Sequence, residues 1–215
     1  MPKRPPLRKD AERNRCRILT AAREVFRDYG TGATLDDVAR HAELGVGTVY
    51  RRFANKEALI DALFEDMVDR VEILTRQGLA AEDPWSGLTQ CLIDVCEVQA
   101  FDRGLRELML GTGKGPERRS HVHARVGAAV AELLERAQRQ GTLRPDIVPA
   151  DIPMIQLMVA AISDHAGRPE HWRRYLALVM DGLRTQPGAT SPLPAFTGDD
   201  EPSGALSDGS TATGP

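Results

Sequence analysis

Apolar residues recur every three or four positions along almost the whole of this 215-residue chain. Since an α-helix makes one turn in about 3.6 residues, this spacing places them on one face of a helix. The sequence contains no convincing run of the strict two-residue alternation that is typical of a half-buried strand. It therefore predicts an all-α fold of about nine helices.

Capping residues and helix breakers set the expected boundaries of these helices. Thr34 and Asp37 have the spacing of a capping box. Asn55 can cap a long helix that starts next to it, and Asp83 precedes a proline at a first helical position. The expected helices cover residues 12–29, 35–41, 45–53, 56–77, 85–101, 105–110, 117–140, 150–163 and 170–185.

Charge is distributed unevenly between the two ends of the chain. Residues 1–56 hold 13 Lys and Arg against 7 Asp and Glu, whereas the remaining residues hold 15 against 24. A basic front end is what a surface facing phosphate groups requires, and the acidic remainder has no such need. Any nucleic acid is therefore expected to bind to the N-terminal part.

The segment from residue 45 to residue 56 has the residue types that a helix needs to enter the major groove of DNA. Gly45 and Gly47 allow the backbone to approach closely, and Thr48 can hydrogen-bond a base edge or a phosphate. Val46 can contact a thymine methyl group, while Tyr50, Arg51 and Arg52 are long enough to reach phosphates. We therefore expect double-stranded DNA as a partner. The candidate DNA-binding residues are Arg13, Thr34, Gly45, Val46, Gly47, Thr48, Tyr50, Arg51, Arg52 and Lys56.

Residues 35–59, LDDVARHAELGVGTVYRRFANKEAL, resemble the helix-turn-helix signature of the TetR family of transcriptional regulators and the helix that follows it. The resemblance covers residues 12–64. Family members commonly have glycine where this chain has Glu43, and often serine in place of Gly45. If the turn needs a positive φ, Glu43 is strained there by about 1 kcal/mol. The matching positions are Thr34, Leu35, Val38, Ala39, Ala42, Gly47, Thr48, Val49, Tyr50, Phe53, Lys56 and Glu57.

The resemblance implies a domain order and a function. We expect a basic arm over 1–11, a helix-turn-helix domain over 12–55 and a helical sensing and dimerisation domain over 56–186. The Pro-, Gly- and Ser-rich composition of residues 187–215 predicts a disordered tail. The implied function is that of a repressor that binds a palindromic operator as a homodimer and is released by a small effector. The alternative is a DNA-binding dimer without a small-molecule effector.

The last two predicted helices carry the most apolar segments of the chain. Only Pro153 and Gln156 interrupt the apolar residues between positions 152 and 162, so this helix needs a partner on two sides. The resemblance implies that the last two helices of each subunit form the dimer interface. The expected interface residues are Ile152, Ile155, Val159, Ile162, Trp172, Leu176, Val179 and Leu183.

The resemblance also implies a ligand cavity among the middle helices. Few charged residues lie at these positions, so a largely apolar effector is expected. Each position is equally compatible with packing in the core. The candidate pocket residues are Trp85, Leu88, Cys91, Leu92, Val95, Leu108, Met109, Val126 and Met158.

The remaining signals do not indicate catalysis, a metal or a cofactor. Three cysteines without a CxxC spacing do not suggest a zinc site, and His121 and His123 point to different sides of a helix. The Gly-rich segment 111–115 lacks the first glycine and the hydroxyl residue of a phosphate-binding loop. With no long apolar run, we expect a cytoplasmic protein that does not bind a membrane. Since none of these residue patterns indicates a catalytic or cofactor site, we expect that the protein is not an enzyme and has no cofactor.

Overall fold

The structure, a computed structural model, describes residues 6–100, 115–165, 171–185 and 191–194. Within these residues it contains eight α-helices and one short 3-10 helix, which confirms the expected all-α fold. The expected helix at 105–110 and most of the expected tail lie outside the described residues. The helices are α1 (Pro6–Tyr29), α2 (Leu35–His41), α3 (Val46–Arg52), α4 (Lys56–Ala80), α5 (Pro84–Ala100), α6 (Gly115–Arg139), α7 (Asp151–His165) and α8 (His171–Leu183).

Two helices extend three or more residues beyond their expected ends. Helix α1 starts at Pro6 rather than at Glu12, so residues 6–11 of the expected arm are helical. Proline suits a first helical position because its missing N–H has no helical acceptor there. Helix α4 continues through Gly78 to Ala80, because this glycine packs directly against α5. A side chain at this position would meet the backbone of Gly87 at 2.9 Å.

The first of two hydrophobic clusters, here called the N-terminal cluster, joins α1, α2, α3 and the start of α4. Each of the short helices contributes one apolar face to it, and the opposite face is left to solvent. The cluster therefore fixes the orientation of α2 and α3. It consists of Ile18, Leu19, Ala21, Ala22, Val25, Phe26, Ala33, Leu35, Val38, Ala39, Ala42, Val49, Phe53, Leu59, Ile60 and Leu63.

The second cluster, the C-terminal cluster, joins the later part of α4 to α5, α6, α7 and α8. Trp172 is its largest side chain and is almost fully buried. Since α4 contributes to both clusters, it is the element through which they are connected. The C-terminal cluster consists of Val71, Leu88, Cys91, Leu92, Val95, Cys96, Val126, Leu133, Leu134, Ala137, Leu143, Ile147, Ile152, Ile155, Val159, Trp172, Leu176 and Leu183.

Charged side chains also fix α4 against α6. Arg118 donates to Asp61 at 2.8 Å, and Arg125 donates to Asp69 at 2.9 Å and to Glu72. The hydrogen bond from Arg125 lowers the pKa of Glu72. Only three residues separate the end of α3 from the start of α4. These ion pairs therefore join the C-terminal helices to the helix that supports α3.

Candidate DNA-binding surface

Helix α2 starts with the capping box that the sequence predicts. The Thr34 hydroxyl accepts a hydrogen bond from the Asp37 backbone N–H at 3.2 Å, and the Thr34 N–H donates to the Asp37 carboxylate at 3.0 Å. The side-chain hydrogen bond from Thr34 holds the pKa of Asp37 below its usual value. The Thr34 hydroxyl therefore serves as the N-terminal cap of α2, although the residue is exposed.

The turn between α2 and α3 depends on one residue in the left-handed region. Glu43 has φ 52, the conformation for which glycine is favoured. Its neighbour Leu44 donates a backbone hydrogen bond to the Ala39 carbonyl at 3.0 Å, which closes the turn. Arg17 of α1 donates to the carbonyl of Ala42 at 2.7 Å, a contact that the sequence pattern does not reveal. The positive φ on which the expected strain at position 43 depends is thus present in the structure.

Helix α3 divides cleanly into a buried and an exposed face. Val49 and Phe53 are buried four residues apart, as their helical spacing predicts. On the opposite face, Val46 is 45% exposed and Tyr50 is 48% exposed. Gly45 is the N-cap but supplies no side-chain hydrogen bond to the helix. The exposed face is completed by Gly47, Arg51 and Arg52.

Two local interactions orient side chains on this face. Arg51 donates to the half-buried Thr48 hydroxyl at 3.1 Å, three residues earlier on the same helix. The carboxylate of Asp36, on α2, lies close enough to Tyr50 to raise the pKa of its phenol. The sequence places Asp36 on the exposed side of α2, but spacing alone does not show which residue of α3 it meets. Asp36 is thus a site residue that the sequence analysis missed.

The other two DNA-binding candidates lie at opposite ends of the N-terminal part. The Lys56 ammonium group lies over the Phe26 ring, 5.5 Å from its centre, in the first turn of α4. The predicted cap of that helix is present, because the Asn55 side chain accepts from the Ala58 N–H at 2.8 Å. Arg13 is exposed on α1, 3.5 Å from Asp10. Its position on a helix agrees with the predicted helix over 12–29.

The pocket candidates are divided by the structure. Six of them come together in or against the C-terminal cluster, whereas Leu108 and Met109 lie outside the described residues. Met158 does not join this group, because its side chain on α7 is half exposed. Burial raises the pKa of the neighbouring Cys96 thiol to about 12. The six grouped candidates are Trp85, Leu88, Cys91, Leu92, Val95 and Val126.

The expected dimer-interface residues pack in or against the C-terminal cluster of their own chain. Ile162 and Val179 are half-buried against the C-terminal cluster, and the other six are buried members of it. Helix α7 is apolar on two sides, so periodicity could not show which side faces its own core. The large apolar side chains left exposed on α7 and α8 are instead Met154, Leu157, Met158, Tyr175 and Leu178.

Two other expectations concern metals and membranes. His121 lies 3.2 Å from Glu65 and beside the Phe64 ring, and His123 is exposed. Among the residues that the structure describes, no group of three or more His, Cys, Asp or Glu side chains is arranged to hold a metal ion. None of the helices in this part of the chain is long and apolar enough to span a membrane.

A capped helix, a tight turn and a second helix with an exposed basic face together form a helix-turn-helix. The fold and this surface define the chain as a helix-turn-helix DNA-binding regulator. Two family models match it: the bacterial regulatory proteins of the tetR family over residues 18–63, and the C-terminal domain of SbtR-like transcriptional regulators over residues 83–185. The first match coincides with the N-terminal cluster.

Similar proteins extend the match over most of the chain. The HTH-type transcriptional regulator SrpR of Pseudomonas putida is 34% identical over 82% of this chain and 78% of its own length. The crystal structure of a TetR transcription regulatory protein from Mycobacterium vanbaalenii is 36% identical, with a TM-score of 0.64 over 84% of this chain and 100% of that one. The A-factor receptor protein of Streptomyces griseus is 28% identical over 74% of this chain and 61% of its own length. The chain belongs to the TetR family of transcriptional regulators.

Proposed function

We propose that this regulator is a repressor that binds a palindromic operator as a homodimer and is released by a small, largely apolar effector. The observation that carries the proposal is the exposed face of α3, whose basic and small residues are oriented away from the N-terminal cluster. Phosphate contacts from Tyr50, Arg51 and Arg52 position the helix, while Val46 and Thr48 reach base edges in the major groove. Gly45 and Gly47 allow the close approach.

The homodimer is supported by the apolar face of α7 and α8. Met154, Leu157 and Met158 on α7, with Tyr175 and Leu178 on α8, are each 45% exposed or more. An apolar face of this kind favours a partner surface of the same chemistry, and a two-fold axis brings the face onto its own copy. In such a dimer the two α3 helices read half-sites about 34–36 Å apart.

The effector is supported by the apolar character of the C-terminal cluster and by one relative. The six grouped pocket candidates lie on α5 and α6, which pack against α4. A molecule inserted among them changes the position of α4, and so the spacing of the two α3 helices. The Streptomyces griseus relative is itself named a receptor protein.

The alternative is a DNA-binding dimer without a small-molecule effector. It is favoured by the tight packing of the same candidates, since Leu88, Cys91, Leu92, Val95 and Val126 are all less than a tenth exposed. A thermal-shift screen of apolar compounds separates the two proposals, because a ligand at one hundred times its Kd stabilises by about 2.7 kcal/mol. A screen in which no compound raises the Tm would support the alternative.

The operator proposal is tested with DNA from the region upstream of the chain's own gene. We expect salt-sensitive binding, and Arg51→Ala should weaken it and reduce the salt slope by about one unit. The matched control is Arg76→Ala, which removes another exposed arginine, from the far end of α4. Equal effects of the two substitutions, or no binding to any palindrome in that region, would contradict the proposal.

The dimer proposal is tested by sedimentation of charged variants. Leu157→Asp and Leu178→Asp place a charge on the exposed apolar face and should produce monomers. Ile73→Asp is the matched control, because Ile73 is just as exposed but lies on α4. Dimers that survive both substitutions would show that another surface is used.

A further inference from the structure

A cleft of about 570 Å³ lies where α1 of the N-terminal part meets α4 and α5. Its volume is within the range of about 300–1,000 Å³ that small-molecule sites occupy. Its walls carry Arg23 and Arg27 from α1, Arg70 from α4, and Asp94 and Glu97 from α5. None of these residues belongs to the proposed DNA-binding face or to the apolar pocket candidates. The cleft is therefore a separate site with a separate chemistry.

One wall of the cleft is basic. Arg70 donates to Oδ2 of Asp66 at 3.1 Å, and Arg23 donates to the same oxygen atom. Arg27 makes a long contact of 3.4 Å with Asp28, and about half of its side chain is exposed. Two guanidinium groups thus share one carboxylate oxygen, and a third is loosely held. This wall suits an incoming carboxylate, since guanidinium groups bind carboxylates through two parallel N–H bonds.

The opposite wall is acidic, but its carboxylates differ in how they are neutralised. On this wall, Glu97 is paired with Arg173 of α8. The cleft has one further carboxylate, Glu24, which lies on α1 beside Arg23 and is paired with His41. Asp94 accepts a hydrogen bond at 2.8 Å from the side-chain amide of Gln90, which is a neutral donor. Asp94 therefore presents negative charge to the cleft and suits an incoming ammonium group.

We propose that this cleft binds a zwitterionic small molecule of the short-peptide class. Its carboxylate lies against Arg27 and Arg70, its ammonium group lies against Asp94, and its apolar part contacts Leu74 and Val98, which also line the cleft. A ligand with both charges matches the two walls, whereas a simple anion would meet repulsion from the acidic one. Such a ligand joins α1 to α5 and so links the two parts of the molecule.

The test is calorimetry of the full-length chain with the dipeptide leucyl-leucine, in the absence of DNA. Two further arms use the N-acetylated dipeptide, which lacks the ammonium group, and the C-terminal amide, which lacks the carboxylate. We expect binding of the free dipeptide and a several-fold loss in each of the other arms. Arg70→Gln and Asp94→Asn should each weaken binding of the free dipeptide about two- to fivefold, the range of exposed ion pairs.

The matched control is Arg76→Gln. Arg76 lies on the same helix as Arg70 and pairs with an acidic residue four positions earlier in the same way, but it does not line the cleft. Arg27→Gln is a second cleft variant that leaves Asp66 with both of its partners. The proposal is overturned if leucyl-leucine does not bind, if all three peptides bind equally, or if Arg76→Gln weakens binding as much as the cleft variants do. Because no DNA is present, these outcomes are independent of the proposed operator binding.

Discussion

The N-terminal and C-terminal clusters bury similar kinds of side chains but leave different surfaces outside. In the N-terminal cluster, α2 and α3 each bury one apolar face and expose a polar or small-residue face. In the C-terminal cluster, α7 buries Ile152, Ile155 and Val159 and still exposes Leu157 on its other side. A helix with one apolar face can bury that face within its own chain, whereas a helix with two apolar faces needs a second partner to bury both. The comparison supports the proposed DNA contact by the N-terminal helices and the proposed self-association through α7 and α8.

The largest effect should separate two leucines of α8 that are two residues apart. Leu176 is buried in the C-terminal cluster and Leu178 is 59% exposed. Leu176→Ala should lower the free energy of unfolding by about 2–5 kcal/mol, because it leaves a cavity in the core. Leu178→Ala should change the stability of the monomer by less than about 0.5 kcal/mol.

Urea unfolding at several protein concentrations measures both effects. Leu176→Ala should lower the midpoint at every concentration, whereas Leu178→Ala should mainly remove the rise of the midpoint with concentration. The reverse pattern would mean that the buried and exposed faces of α8 have been exchanged. The original sequence-based choice of interface residues would then be correct.

The second-largest effect concerns the contact at which α4 and α5 cross. This contact attaches α5 to α4, the helix that both clusters share. A Cβ atom at Gly87 would overlap the Gly78 carbonyl oxygen, and backbone atoms cannot easily move away. Gly87→Ala should therefore destabilise by about 1–3 kcal/mol. Gly182→Ala is the control, because nothing lies within 4 Å of its added Cβ, and it should stabilise by up to about 1 kcal/mol. Equal Tm values for the two variants would contradict a close crossing.

The two clusters also differ in how much of them the sequence could predict. In the N-terminal part, Thr34 and Asn55 mark helix starts, and the spacing of Val49 and Phe53 identifies the buried face of α3, so local patterns are sufficient. In the C-terminal part, both sides of α7 are apolar, so spacing alone does not show that Ile155 and Val159 are buried in their own chain while Met158 is half exposed. Contacts between distant segments, such as Arg17 with Ala42, leave no local pattern at all.

The third prediction tests the turn that supports α3. Glu43→Gly should stabilise the protein by about 1 kcal/mol, because glycine adopts φ 52 without strain. It should also tighten binding to the operator, because it removes a negative charge near the DNA backbone. Thermal unfolding and operator titration at two salt concentrations measure the two effects.

Glu43→Gln separates strain from charge. It removes the carboxylate but keeps a side chain at positive φ, so operator binding should tighten while stability stays close to that of the wild type. If Glu43→Gln stabilises as much as Glu43→Gly, the backbone conformation at this position is not the source of the strain.

The smallest effect compares the N-caps of the two parts at low pH. Asp83 accepts hydrogen bonds from the side chain of Gln140 at 2.7 Å and from the Ser86 N–H at 2.8 Å, and these lower its pKa from 3.8 to about 2. A carboxyl group with a depressed pKa stabilises the fold fully above about pH 4, and the contribution is lost as the pH falls through about 2.

Gln140→Ala removes the largest cause of the low pKa of Asp83 and should return this pKa towards 3.8, as followed by carboxyl NMR titration. The pKa of Asp37, which depends on Thr34, should not change with Gln140→Ala and should rise with Thr34→Val. If either variant shifts the pKa values of both Asp37 and Asp83, the titrations of the two caps depend on each other. If each variant shifts only one of the two pKa values, each cap is determined by its own contacts.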